Sequence, residues 1–577
     1  MFVAVAFAMI LTQMVGVVAT IIDGVITSRF VGSVQYSAIS LLGPFISVIY
    51  LLVGSISNGN QIVSSKSIGK GKREDANASF TYSLIVSIVI CLLVILACVF
   101  FPSTLFRICG VSLKSHEDLY PHMLRYLHGI MPGIPFMILI QVTSPMVILD
   151  GGRNRFTISS LVFCVTDIAA DLINVFVFHG DEFGMGLATS LSFAVQFLIL
   201  VSHFLGNRSY FRISFRGIRR SLVSEVSKAG SPTTVRKLFT TLRDLTINRI
   251  NLYVAISSAA IAARGMQNDL NTLMFCISLG MGGALISMTG IYFGAEDRHG
   301  LRNLFAFSMR FALTVSCSAG VVLLFAAPVI SRFYTSDPEV LEMSVFSIRC
   351  MAIGLPLDTL AVSYQSFLLG TRRAKLVNGM SFFERFVIPV LSAMYLARLF
   401  GSKGVMASLA VSKVMLVFVM LVIIIVKNRH FPRNIYEWML TSMDFGGSDE
   451  ENLYVRIDTM EDVVKARDDA EKFCLDKGID PKRALYAALF IEEMAGNVVL
   501  HGKRRGSSPI SADFRLFIRD GKISITLRDY CKQFDPERYL AQHEGDEKAI
   551  GIRMVKMLAS EFTYFNAFNS NNLLIVM

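Results

Sequence analysis

From residue 3 to residue 427 the chain is a succession of long apolar runs broken by short polar loops. From residue 453 onward the apolar positions recur at shorter, alternating intervals. A run of about 20 predominantly apolar residues is the length a helix needs to cross the hydrocarbon of a bilayer. Such runs lie at 3–27, 36–60, 80–101, 125–149, 157–178 and 184–206, and again at 233–258, 269–292, 304–330, 341–368, 374–398 and 403–427. Twelve membrane-spanning helices are therefore expected. The first starts at Met1 with no charged leader and no cleavage pattern, and is expected to be retained. In the last part, "LYVRI" (453–457) alternates as a strand, while 460–476 and 482–501 carry helical periodicity. "ADFRLFIRDGKISITLRD" reads as a hairpin turning at Asp520-Gly521, and a helix near 549–560 and the strands "FTYFNAF" and "NLLIVM" complete an α/β domain.

The loops set the orientation. "KSIGKGKRE", "GGRNR", "NRSYFRISFRGIRR", "GAEDRHGLR", "GTRRAK" and "KNRHFPR" follow the even-numbered runs and are basic, whereas odd-numbered loops such as "HGDEFG" and "YTSDPE" are poor in Lys and Arg. Positive loops stay inside, so both termini are expected in the cytoplasm of a bacterium, with the chain in its inner membrane. An internal repeat is also legible. "SIGKGKREDANASF" (67–80) resembles "YFGAEDRHGLRNLF" (292–305), and "MPGIP" (131–135) resembles "AIGLP" (352–356) at a similar offset. Two six-helix halves in parallel orientation are what this predicts, with a substrate path between them. The expected organisation is a first half at 1–206, a basic inter-half loop at 207–232, a second half at 233–427, a linker at 428–450 and a soluble domain at 451–577. The linker carries the single tryptophan, Trp438, in a segment expected to lie at the membrane interface.

Composition agrees with this division. The chain is 53% hydrophobic and only 17% charged, and its net charge of +11 resides in residues 1–450, since 451–577 hold 19 Lys/Arg against 20 Asp/Glu. Topology accounts for the basic surplus without nucleic acid. The nine cysteines form no CxxC pair and no Cys/His cluster, so neither a disulfide framework nor a zinc site is indicated.

Carboxylates inside apolar runs are costly and therefore informative. Asp23 lies in the first run, and Asp167 and Asp171 lie one turn apart in the fifth, on one helical face. Facing acids of this kind can exchange a proton or a sodium ion. Arg236, Glu384 and Arg385 sit in the seventh and eleventh runs as substrate contacts or helix-to-helix pairs. In the soluble domain, "IEEMAGNVVLHG" places Glu493, Asn497 and His501 four residues apart, a polar stripe on an otherwise apolar helix.

"GVVATIIDGVITSRFVGSVQYSAIS" at the start of a twelve-helix repeat, the Gly-rich turn after the second run and "GSPTTVRKLFTTLRDLTINR" at the start of the second half resemble the multidrug and toxic compound extrusion (MATE) transporters over about residues 1–430. The resemblance implies a secondary-active antiporter that exports organic cations or other amphipathic compounds on a proton or sodium gradient. Asp23 matches an acidic position of the family's first helix. At the fifth helix the family often has an acid near Asn174, with Asp171 a turn earlier here.

"IEEMAGNVVLHG", "LRDYCKQFDP" and "KAIGIRMVKMLASEFTY" follow one another in the order of the GHKL ATPases and most resemble anti-sigma-factor serine kinases. That resemblance implies Mg-ATP as ligand. Glu493 would be the general base, Asn497 would hold magnesium between the phosphates, Asp529 would accept from the adenine amino group, and Gly551 would let backbone N–H groups approach the phosphates. Two positions depart from the family. Asp529-Tyr530-Cys531 stands where Asp-x-Gly is usual, and Ala549 replaces the first glycine of the third motif.

The expected activity is thus gradient-driven export, gated by a cytoplasmic domain that senses adenine nucleotide or a regulatory protein. Kinase-like or ATPase activity in that domain is left open. Two alternatives remain at this point: a membrane-anchored signalling kinase or anti-sigma switch whose transporter half senses a ligand, and a flippase for lipid-linked precursors. No GxxxxGK[ST] occurs, so an ABC-type pump is not indicated.

Overall fold

The computed structural model describes residues 2–577 apart from 33–34, 36–37, 40–41, 109–118, 207–208, 255–257, 335–337, 443–444, 448, 504–509, 520, 544–548 and 569. The first half comprises α1 (Phe2–Ile26), α2 (Gly43–Gly69), α3 (Arg73–Phe100), the short α4 (Pro102–Ile108), α5 (Tyr120–Ile130) continued by α6 (Ile134–Leu149), α7 (Arg153–Phe176) and α8 (Glu182–Leu205). The second comprises α9 (Arg220–Val254), α10 (Ser258–Gly294), α11 (Arg298–Tyr334), α12 (Pro338–Gly370), and α13 (Ala374–Phe382) running on into α14 (Ile388–Asn428).

Ten helices among the described residues are long and apolar enough to cross a membrane. The difference from twelve has two sources. The 55-residue stretch Ala374–Asn428 holds two runs, broken where Gly401 leaves helical geometry at φ 57° and ψ −138°. Helix α9 is too polar to register, since it begins at Arg220 in the basic segment and carries Arg236 and Lys237 further on. The second run also shifts, from 36–60 to Gly43–Gly69. Its polar end does not become a loop because Asn60, Gln61, Ser64 and Ser65 are buried, with Gln61 Nε2 donating to the Gly283 carbonyl at 3.2 Å.

The repeat is visible in the backbone. Gly71 and Glu296, equivalent in the two repeats, both adopt left-handed φ values of 70° and 54°, and Gly151 and Arg372 form a second such pair at 76° and 64°. At this end of the molecule the halves touch. A Cβ on Gly69 of α2 would run into the Ile291 carbonyl of α10, and a Cβ on Gly294 would run into the Lys66 carbonyl of α2. Two glycines thus let the helices close against each other beside the basic turns.

A linker follows, in which the expected interfacial segment is the single turn α15 (Ile435–Trp438). It packs beneath the second half, where Tyr364 Oη donates to the Trp438 carbonyl at 3.0 Å and Phe445 stacks on Phe293. The soluble domain has β1 (Asn452–Ile457), α16 (Met460–Asp476), α17 (Pro481–His501), β2 (Ala512–Arg519), β3 (Lys522–Asp529), α18 (Pro536–Gln542), α19 (Ile550–Leu558), β4 (Glu561–Ala567) and β5 (Ser570–Val576). Of the expected turn, Asp520 lies outside the described residues and Gly521 has φ 70°. Helix α18 is an addition to the sequence reading, capped by Asp535, whose carboxylate accepts from the amides of Glu537 and Arg538.

The sheet is antiparallel throughout, in the order β1-β2-β3-β5-β4. Period-two alternation divides its faces. Phe514, Leu516, Ile525, Leu527 and Leu573 form the core with α16, α17 and α19. The alternate positions, including Arg515, Arg528, Phe565 and Asn572, face the membrane-embedded part and are buried as well.

Candidate functional site

Two sets of polar groups stand out, one in each domain. In the first half, α1 packs on α7 and brings Asp23 and Asp171 face to face, so that each carboxyl lies within hydrogen-bonding reach of the other. Thr27 Oγ1 donates to Asp23 Oδ1 at 3.3 Å. Asp167, one turn before Asp171, reaches Thr189 and Ser192 on α8. Asp167 and Asp171 are 4% and 1% exposed, and neither Asp171 oxygen nor Asp167 Oδ1 receives a hydrogen bond. Among the described residues no lysine or arginine pairs with any of the three, and they do not converge into a ready metal cluster. Asn174 stands apart. Its Nδ2 donates to the Asp181 carbonyl at 3.2 Å and its Oδ1 packs on Gly180 and Gly184, so it ties the end of α7 to the following loop.

The second half buries charge differently. Lys413 on α14 is hydrogen-bonded to Asp358 on α12, a pair that sequence reading missed because the two lie 55 residues apart in different apolar runs. Glu384 accepts from Gln365 and lies 2.7 Å from Arg385 Nη2, while Arg236 Nη2 donates to Gln365 Oε1 at 3.3 Å. Arg236, Glu384 and Arg385 thus join one network across α9, α12 and the α13–α14 junction.

In the soluble domain, α17 carries Glu493 and Asn497 one turn apart, and the Glu493 carboxylate lies against Gly551 at the start of α19, where a Cβ would displace it. Neither Glu493 nor Asn497 has a side-chain hydrogen bond among the described residues, whereas His501 is exposed at the helix end. Asp529 closes β3 on the core face, 8% exposed. Its Oδ1 accepts from the Cys531 amide at 2.9 Å and from Asn571 Nδ2 at 2.8 Å, and Asn571 Oδ1 in turn accepts from Tyr564 and Asn566. Burial raises the Asp529 pKa above the ordinary carboxylate range, and these hydrogen bonds oppose the shift. Burial, and then the neighbouring Asp529, push the Cys531 thiol up to about 11, so it stays neutral. Cys531 Sγ packs at the end of α17, where a Cβ on Gly502 would stand 2.9 Å from it.

A carboxylate and an amide one turn apart, without side-chain hydrogen bonds among the described residues and with the carboxylate against a glycine at a helix start, fit a magnesium-bound phosphate group. The buried Asp529 fits an adenine amino group through the oxygen that the protein leaves free of Asn571. Sequence reading did not anticipate Asn571, because its partnership with Asp529 depends on the register of β3 against β5.

Residues 8–172 and 232–394 match the MatE family, and residues 458–577 match the histidine kinase-like ATPase domain. The multidrug export protein MepA of Staphylococcus haemolyticus is 24% identical over 428 residues, spanning 73% of this chain and 92% of that protein. A FAD transporter of Shewanella oneidensis is 21% identical over 327 residues, spanning 55% and 70%. A solved structure described as the outward-facing conformation of a multidrug resistance MATE family transporter shares the fold, with a TM-score of 0.67 at 18% identity over 72% of this chain and 93% of that one. With two repeats of the family matched across more than half of its length, the chain belongs to the MatE family and carries a histidine kinase-like ATPase domain at its C-terminal end.

Proposed function

We propose that the protein exports small drug-like, amphipathic or cationic compounds from the cytoplasm of a bacterium across its inner membrane, exchanging them for protons or sodium ions. The observation that carries this reading is the pairing of half-buried Asp23 with buried Asp171, with Asp167 beside them and no basic partner among the described residues. Facing carboxyls in a low-dielectric interior are neutralised by a proton or a cation, and the ion must leave when the pair opens to water. Rocking of one half against the other exposes the pair alternately to the two sides. The names of the multidrug relatives support the substrate class. A membrane-anchored signalling switch would have no use for three acids in the hydrocarbon without a basic partner among the described residues.

Basic turns on the side of the ATPase-like domain support a cytoplasmic placement for that domain and both termini. There Glu493, Asn497, Asp529 and Gly551 would hold Mg-ATP, which would supply the polyanionic phosphates and the adenine ring for these residues to recognise. The domain regulates export, and the ion gradient drives it. In proteoliposomes loaded with ethidium, an imposed proton or sodium gradient is expected to drive transport while Mg-ATP without a gradient drives none. Transport by ATP alone, or equal leak with and without gradients, would contradict this reading.

A further inference from the structure

The soluble domain uses one face of its sheet to grip both halves of the transporter at the end where they close. On the second half the grip is polar. Arg515, 6% exposed, donates from Nη1 to the Ala295 carbonyl at 3.1 Å and from Nη2 to the Glu296 carbonyl at 2.9 Å, capping the C-terminal end of α10 with a guanidinium. Arg528 Nη1 lies 3.6 Å from Asp297 Oδ2 with its guanidinium over the Tyr292 ring. In the reverse direction Arg298 Nη1 donates to the Gly447 carbonyl at 2.8 Å. On the first half the contact is apolar. Thr563 and Leu574 press on Gly71, where a Cβ would stand 3.3 Å from each. Phe568, in the turn between β4 and β5, is buried in one cluster with Leu149 of the first half and Met288 and Ile291 of the second, and its amide donates to the Leu149 carbonyl at 3.4 Å. The gripped turns, 70–73 and 295–298, are repeat equivalents and begin directly after Gly69 and Gly294, the glycines at which α2 and α10 meet.

We infer that this sheet face is a lock: docked, it holds the cytoplasmic ends of the two halves together and the transporter closed on that side, and it must release before the inner side can open. Rocking cannot separate the turn at Gly71 from the turn at Glu296 while one rigid sheet is seated on both. The nucleotide site is wired to the lock through adjacent rungs of the sheet. Arg528 pairs in register with Asn572, and Asp529 with Asn571. Arg528 Nε donates to Asn572 Oδ1 at 2.7 Å on the transporter side, while Asn571 holds Asp529 on the opposite face. Neighbouring strand residues point to opposite faces, so a shift of the Asp529–Asn571 rung moves the Arg528–Asn572 rung with it. This wiring rests on the nucleotide-binding reading above; the lock itself does not.

Hydrogen exchange on the full-length protein in lipid nanodiscs tests the lock without requiring a substrate. Phe568 has φ 52°, so Phe568→Gly keeps the turn and removes the wedge. Asp297→Asn, on the transporter side, removes the charge opposite Arg528 without touching the soluble domain. Each is expected to raise exchange in residues 292–300 and in α2 near Gly69, and the pair together to speed gradient-driven ethidium export by about fivefold or more, the lower range of an ordinary coupling between sites. Unchanged exchange in the double variant would refute the docking, and faster exchange with unchanged export would refute the lock. If wild type and variant both fail to export, the exporter reading falls while the exchange of α2 still reports whether the ends are held. Mg-ATP is expected to change exchange in 292–300 in wild type. Saturating Mg-ATP that protects Asn497 and leaves 292–300 unchanged would refute the wiring, whereas no protection at Asn497 would instead refute nucleotide binding.

Discussion

In the first six-helix half, Asp167 and Asp171 are buried and Asp23 is half-buried, with no basic partner among the described residues, whereas the second half sets Asp358 against Lys413 and Glu384 against Arg385. The two halves match the same family and share left-handed turns at equivalent positions, so the contrast is one of side chains on a common scaffold. A buried ion pair is already neutral and gains nothing from an ion in solution. Buried acids without such a partner recruit one. On the proposed export reading, the first half is then the place where the charge state changes during a cycle, and the second half serves as an electrostatic brace.

The largest expected effect comes from breaking the first half. Asp23→Asn and Asp171→Asn are each expected to reduce gradient-driven ethidium export to that of empty liposomes while the protein remains in the membrane at wild-type amounts. Asp167→Asn should slow export less, because Asp167 lies one turn away from the Asp171 carboxyl that meets Asp23. Retained export in Asp171→Asn would move the coupling elsewhere.

Next in size is the brace. Removing one partner of a buried pair strands the other, so Asp358→Asn is expected to lower unfolding stability by about 3–5 kcal/mol and to reduce export mainly through loss of folded protein. Asp358→Leu combined with Lys413→Met should recover most of the stability. If the double variant folds and still fails to export, the second half has a share in the chemistry and the contrast between the halves weakens.

The smallest effect concerns a third buried acid, one supplied with donors. The Asp529 pKa is raised by burial, so the charged form costs folding stability once pH exceeds the unfolded-state value, and that cost disappears when both states are protonated. Asp529→Asn should therefore raise the melting temperature of the ATPase-like domain in the full-length protein, by a margin that grows as pH rises from about 4. It should also abolish ATP binding measured by calorimetry. A margin that grows as pH falls would reverse the sign of the argument.

The spans, the hairpin and the order of the ATPase motifs were legible because each rests on local periodicity or on spacing within one element. The polar ends of α2 and α9 were misplaced for a physical reason. Asn60 Oδ1 accepts from Ser64 and from Ser79 of the next helix, Gln61 donates to Ser287 of the opposite half and Arg236 donates to Gln365, contacts that a run of hydropathy cannot see. The resemblance places Asn174 near an ion-coupling position of the fifth helix, and what the sequence does not show is that its amide lies against Gly180 and Gly184 and donates to the Asp181 carbonyl. The docking face was hidden for the same kind of reason. Arg515 and Ala295 are 220 residues apart, and the alternation that exposes Arg515 and Arg528 on one face reads equally well as a solvated surface.

The most direct measurement is ethidium export in proteoliposomes under an imposed proton gradient and, separately, a sodium gradient, comparing wild type, Asp23→Asn/Asp171→Asn and Asp358→Leu/Lys413→Met. The expected result is export driven by at least one gradient in wild type and in the brace variant, with none in the variant lacking the paired acids. Gradient-driven export that survives the loss of Asp23 and Asp171 would contradict the assignment of ion exchange to the first half.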